Sequence, residues 1–203
     1  MKLKLFPLLV AGVVTAMAAG SALAQKKYDV GADDKEIKLG HINPYSGPAS
    51  AYGTIGKAIG AYFDKVNAEG GINGRKVKFI SLDDGYNPAK TVEMARKLVE
   101  QEEVLLLFQP LGTPPNSAIH KYMNDKKVPH LFVATGATKW GDPKNFPWTM
   151  GFQPNYQSES KVFVAHILET RPNAKIAILY QNDITAKTTS RGLKMVWEPK
   201  QPR

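Results

Sequence analysis

Ile37-Lys38-Leu39-Gly40-His41-Ile42 leads into Asn43-Pro44-Tyr45-Ser46-Gly47-Pro48, a helical stretch from Gly53 to Ala68, Gly70-Gly71-Ile72-Asn73-Gly74, and Val77-Lys78-Phe79-Ile80-Ser81-Leu82. That stretch decides the fold. Its first run alternates apolar and polar residues, the period of a strand. Two prolines and a glycine then oppose regular structure. Ile55, Ile59, Tyr62, Phe63 and Val66 recur at helical spacing, and the glycine cluster that follows supplies a left-handed cap and an Asn-Gly turn. A second strand through Val77, Phe79, Ile80 and Leu82 ends at Asp83-Asp84.

The same alternation continues outward. Pro88 sits where a helix can begin, with Val92, Ala95, Leu98 and Val99 as its buried face. Val104 to Phe108 is an unbroken apolar run, as expected of a strand covered on both sides. Asn116 to Met123 reads as a weaker helix, Val128 to Ala134 and Trp148 to Phe152 as strands, and Ser158 to Leu168 as a helix with apolar positions at Val162, Phe163, Ala165 and Ile167. Ala174 to Tyr180 reads as one more strand. Strands alternating with helices define an α/β fold with a doubly wound parallel sheet. Such sheets hold ligands beyond the carboxyl ends of their strands. The loops of interest are therefore Asn43–Tyr52, Asp83–Asn87, Gln109–Asn116 and Thr135–Trp140.

The chain starts with Lys2 and Lys4, an uncharged apolar run from Leu5 to Ala19, and Ser21-Ala22-Leu23-Ala24. These are the parts of a cleavable secretory signal, with the cut expected after Ala24. The apolar run is shorter than the roughly 20 residues a membrane span needs. No Cys follows the small residues, and the chain contains 0 cysteines in all, so neither disulfides nor thiolate metal sites enter the argument. The formal charge of +9 is concentrated at the two ends of the chain: Lys2 and Lys4 in the leader, and Lys187, Arg191, Lys194, Lys200 and Arg203 near the C-terminus. Between them lysines are interleaved with acids and form no basic stripe, which argues against a nucleic-acid partner.

The loops also carry a resemblance. Ile42-Asn43-Pro44-Tyr45-Ser46-Gly47-Pro48 with Tyr52-Gly53, Asn67-Ala68-Glu69-Gly70-Gly71-Ile72-Asn73-Gly74-Arg75, Asp83-Asp84, Pro88, Leu111-Gly112-Thr113 and Ala134-Thr135-Gly136-Ala137-Thr138 follow one another as in the leucine/branched-chain amino-acid-binding family of ABC-transporter receptors. The sequence resembles that family from about Glu36 to Asp183. The resemblance implies a type I periplasmic-binding fold: two α/β lobes, a hinge, and a ligand cleft between them. After the signal peptide (1–24) and a polar, flexible lead-in (25–35) read from the residues, the resemblance implies an N-terminal ligand-binding lobe (36–152) and a hinge with the first helix and strand of a second lobe (153–183). It also implies ligand contacts. Tyr52 matches the aromatic residue that covers the ligand, Leu111, Gly112 and Thr113 a loop offering backbone and hydroxyl groups, and Gly136, Ala137 and Thr138 the segment that grips an amino acid's carboxylate and ammonium. Helix N-termini near these loops would favour a carboxylate. Pro110-Leu111-Gly112-Thr113 replaces the serine-rich loop of typical leucine receptors, which leaves another amino acid or a small carboxylate open as ligand.

Residues 184–203 depart from the family, and a frameshift is the expectation there. Reading the last base of each codon from Asp183 onward with the first two of the next, Met195-Val196 and Trp197-Glu198 each force glycine. The other shifted codons permit a family-like continuation beginning Tyr-Gly-Lys-Asp-Tyr. The second-lobe contacts would then be missing, and ligand binding is expected to be very weak. The expected partners are a small amino acid or carboxylate and an ABC-importer permease, the expected state is a monomer exported to the periplasm, and no cofactor or metal is expected. Catalysis finds no support: His41, His120, His130 and His166 lack metal-ligand spacing, and Ser46 is not in a nucleophile elbow. A ligand-sensing regulator on the same fold and a non-functional fragment remain as alternatives.

Overall fold

The computed structural model describes residues 28–177, 179, 182 and 183. The expected signal peptide and the tail from 184 onward lie outside them.

Five strands form one parallel sheet in the order β2-β1-β3-β4-β5. β1 (Glu36–Asn43) pairs along its whole length with β2 (Lys76–Asp83), from Glu36 opposite Lys76 to Asn43 opposite Asp83. β3 (Leu106–Phe108), β4 (His130–Val133) and β5 (Thr149–Gly151) are short and extend the sheet on the other side of β1. α1 (Gly53–Ala68) joins β1 to β2, and α2 (Pro88–Arg96), prolonged by a π turn over Lys97–Gln101, joins β2 to β3. α3 (Thr113–Asp125) precedes β4, and α4 (Tyr156–Thr170) follows β5.

The alternation of β1 sends its side chains to two cores. Ile37 and Leu39 pack with Val77 and Phe63 of α1 on one face. Ile42 packs on the other with Ala95, Leu98, Leu107, Ile119 and Met123, under α2 and α3. Helices thus cover both faces, which is the doubly wound arrangement. The crossover from β1 to β2 runs through α1 on one face and that from β2 to β3 through α2 on the other, so the topological switch point lies at the carboxyl ends of β1 and β3, where a crevice opens.

Several elements differ from the sequence expectation. α3 begins at Thr113 rather than Asn116, because Gly112, at φ 100°, caps it and Pro114-Pro115 have the fixed backbone suited to a first turn. The apolar run Val104–Phe108 contributes only three residues to the sheet: Val104 and Leu105 form the entry to β3, with Leu107 fully buried and Leu106 and Phe108 half-buried. In β4 the register shifts between His130 and Val133, and Phe132 takes a positive φ of 58°. In α4 the buried residues are Ser160 and Val164, whereas Val162 and Phe163 are 67% and 54% exposed. The expected strand from Ala174 to Tyr180 falls partly outside the described residues. Those described, 174–177 and 179, belong to no strand, and the described sheet offers them no neighbour.

Candidate functional site

At the switch point the four loops converge. Asp83, at the end of β2, gathers the first two of them: it accepts hydrogen bonds from the Tyr45 amide (2.9 Å), the Ser46 hydroxyl (2.6 Å) and the Gly85 amide (2.9 Å), and pairs with Lys90 at 3.2 Å. Partial burial acts to raise its pKa, but the Ser46, Gly85, Tyr45 and Lys90 hydrogen bonds outweigh it and hold the carboxyl well below the usual range. Asp84 is buried, which pushes its pKa up, and accepts from Thr91 at 2.8 Å and from the Tyr86 amide at 2.9 Å. Both acids therefore hold the loops in place. Among the described residues no three His, Cys, Asp or Glu side chains gather as a metal site.

Asn43 at the end of β1 donates to the Tyr52 carbonyl at 2.9 Å, which fixes the turn that presents Tyr52. Beyond β3 the chain stays tied to its neighbours: Leu111 N–H bonds Ile42 O at 3.1 Å, and Ala134 N–H bonds Pro110 O at 2.9 Å. Gly112 occupies a place that another residue could hardly take. Its φ is 100°, and a Cβ there would come within 2.6 Å of the Tyr86 ring.

These constraints enclose a cleft of about 430 Å³. Ala49, Tyr52 and Ile55 line it from the first loop and α1, Tyr86 from the second loop, Gln109, Leu111, Gly112 and Thr113 from the third, and Ala134 and Thr135 from the fourth. Phe152, Gln153 and Tyr156 close the far side. Among the described residues, no side chain lining the cleft is charged. Two of the lining residues, Tyr86 (φ 63°) and Gln109 (φ 52°), hold the left-handed backbone conformation that non-glycine residues adopt at a cost, as is common where a site is shaped. The bulge at Phe132 serves the same wall: its ring contacts Phe108 at 5.6 Å and Phe152 at 6.2 Å between centroids, linking the sheet to the rim.

Four of the sequence-derived candidates, Tyr52, Leu111, Gly112 and Thr113, meet in this cleft. The other three do not. Ala137 and Thr138 line an adjoining hollow of about 370 Å³ with Trp140, Met150 and Pro154, and the two cavities share Thr135 and Gln153. Gly136 lines neither and is buried: a Cβ on it would lie 2.6 Å from the Tyr156 ring and 2.8 Å from Pro154 O. Sequence reasoning missed Tyr86, Gln109, Thr135, Phe152, Gln153 and Tyr156 as lining residues. The first three lie inside the loops it singled out. Phe152, Gln153 and Tyr156 follow the last strand and come back onto the site only through the tertiary fold.

The polar groups of the cleft are hydroxyls and amides. Thr113 and Thr135 hydroxyls bond each other, and Thr135 lies 3.2 Å from the Tyr156 hydroxyl. The α3 N-terminus offers less than a helix start usually does: Pro114 and Pro115 have no N–H, and Asn116 N–H is spent on Gly112 O at 3.1 Å.

The chain belongs to the periplasmic binding protein family, whose model matches it over residues 36–201. The match runs beyond Asp183, where the motif-by-motif resemblance stops. The leucine-specific-binding protein of Salmonella typhimurium is 26% identical over 195 residues, covering 92% of this chain and 48% of that protein. A possible leucine/isoleucine/valine-binding protein from Rhodopirellula baltica SH 1 superimposes with a TM-score of 0.74 at 25% identity, over 84% of this chain and 46% of the other. A branched-chain amino acid ABC transporter protein from Thermus thermophilus with bound valine gives a TM-score of 0.74 at 17% identity, over 83% and 44%, and shows the shared fold. The chain thus spans about half the length of these relatives.

Proposed function

We propose that the chain supplies one wall of the binding site in an extracytoplasmic solute-binding component of an ABC importer, for branched-chain or other amino acids or related small carboxylates. The observation that carries this is the cleft itself. It opens at the switch point, all four strand-end loops line it, and it combines aromatic rings with hydroxyls and carboxamides and has no charged wall. Apolar and aromatic surface with a few convergent polar groups is the usual composition of a small-molecule site. Leucine- and branched-chain-binding relatives support the ligand class. Tyr52, 55% exposed at the mouth, is placed to cover a ligand resting against Leu111, Gly112 and Thr113. Ala137 and Thr138 lie in the neighbouring hollow, with Gly136 beneath Tyr156.

On this reading the protein is exported with cleavage after Ala24, acts as a monomer, and delivers its ligand to a membrane permease. A single wall buries a ligand incompletely, so affinity is expected in the millimolar range, or about −4 kcal/mol. Amide NMR titrations of the chain with L-leucine, L-valine and benzoate test this. Saturable shifts confined to the cleft loops are the expected result. Shifts scattered over the surface, or none up to solubility, would remove the assignment.

A further inference from the structure

We propose that Tyr156 is a specificity-determining residue of this cleft: its ring closes the space over Gly136, and its hydroxyl extends the Thr113–Thr135 pair, so a ligand's acceptor group is met at this hydroxyl chain and not at the 136–138 backbone. The proposal rests on the binding role given above.

Three observations carry it. Tyr156 is locked in place: its N–H bonds Gly136 O at 2.7 Å, and Asn155 caps α4 by accepting from Ser158 N–H at 2.9 Å. Its ring lies directly over Gly136, where even one added carbon would be 2.6 Å away. The cleft and the adjoining hollow meet at Thr135 and Gln153, and Tyr156 lines the cleft together with both of these shared residues.

The hydroxyls supply the chemistry. Thr113, Thr135 and Tyr156 carry one hydroxyl proton each, and the two hydrogen bonds along the chain use two of them. The remaining proton is left on Thr113, Thr135 or Tyr156, according to which way the two bonds point, and all three residues line the cleft. One hydroxyl donor, with Gln109 and Gln153 nearby and two amide donors of the α3 N-terminus removed by Pro114 and Pro115, suits a single acceptor such as a carboxylate on an apolar or aromatic body. An ammonium finds no acid in this wall.

Amide NMR on the full chain tests this with L-leucine and with benzoate, in wild type, Tyr156→Phe and Tyr156→Ala. In wild type the Thr113 and Thr135 amides should shift on addition of probe while Gly136 and Ala137 stay still. Tyr156→Phe keeps the ring and should weaken benzoate binding at least fivefold with Gly136 still silent. Tyr156→Ala should let the Gly136 and Ala137 amides respond. Equal shifts at Gly136 and Thr135 in wild type, or unchanged affinity in Tyr156→Phe, would overturn the proposal. If neither probe moves any cleft residue in wild type, the binding role itself fails. The covering of Gly136 is then decided without ligand, by relaxation enhancement from a neutral gadolinium chelate. The Gly136 amide should gain at least twofold in Tyr156→Ala and nothing in Tyr156→Phe, and no gain in the alanine variant would refute it.

Discussion

At the scale of single residues, the site depends on groups whose surroundings leave one workable choice. Gly112 is the sharpest case. Alanine there would need a left-handed backbone and would collide with the Tyr86 ring, so Gly112→Ala should lose about 2–4 kcal/mol from strain and overpacking combined. Urea unfolding of the purified chain measures it, and a loss under 0.5 kcal/mol would contradict the packing described. The buried histidines make a second case. His41 contacts Phe108 O at 2.8 Å through Nδ1, and His130 meets Asn116 Oδ1 at 2.7 Å through Nε2. Burial lowers the pKa of His41 to about 4, against the opposing pull of the Phe108 carbonyl, and that of His130 to about 3, helped by neighbouring His120, from an ordinary 6.5. In that interval the unfolded chain binds more protons than the folded one. Stability is therefore whole above about pH 6.5 and falls as the pH drops toward 4, by on the order of a few kcal/mol. Asp84, whose pKa is raised by burial, works in the opposite direction as it protonates. Imidazole ¹⁵N signals separate the two: His41 and His130 should keep neutral-form shifts at pH 5, and a charged-form spectrum there would sink the account.

At the scale of elements, α4 shows how far local pattern reaches. Its helix is evident in the sequence, but Val162 and Phe163, read as apolar positions, face solvent, and Val164 beside them is 1% exposed. Periodicity marks a helix without saying which stripe finds a partner; here the Tyr156 N–H bond to Gly136 O ties its first residue to the lobe. Val162→Lys and Phe163→Lys should then change stability by less than about 0.5 kcal/mol, whereas Val164→Ala should cost about 1–3 kcal/mol. Thermal melts of the three variants check both halves, and a costly Phe163→Lys would place the buried stripe elsewhere. The opposite lesson comes from α1, whose bounds Gly53–Ala68 agree with the reading of its spacing and its glycine stop. There the local signals and the tertiary packing point the same way.

At the scale of the whole molecule, the sheet and both main cores lie within residues 36–151, and the later described segment adds chiefly Tyr156, Ser160 and Val164 to the interior. We expect a chain ending at Phe152 to fold by itself, with cooperative unfolding and the Gly136 amide newly open to solvent. Circular dichroism and amide hydrogen exchange on that shortened chain would show it; a non-cooperative melt would mean that α4 is part of the lobe's core.

The strand and helix order, the parallel doubly wound sheet and the loops that bear the site were legible in the residues alone. These are local or periodic properties: hydrophobic spacing, glycine and proline chemistry, and the rule that such sheets open at their carboxyl ends. The family resemblance, not the loop rule, put Tyr52, Leu111, Gly112 and Thr113 among the candidates, and they lie on those loops. That Gly136 is covered while Ala137 and Thr138 face the adjoining hollow emerges from the three-dimensional packing. That outcome depends on where the chain after β5 returns, and on a tyrosine ring that approaches Gly136 across 20 positions of sequence. No periodicity encodes that approach, since it is set by packing between segments that are distant along the chain.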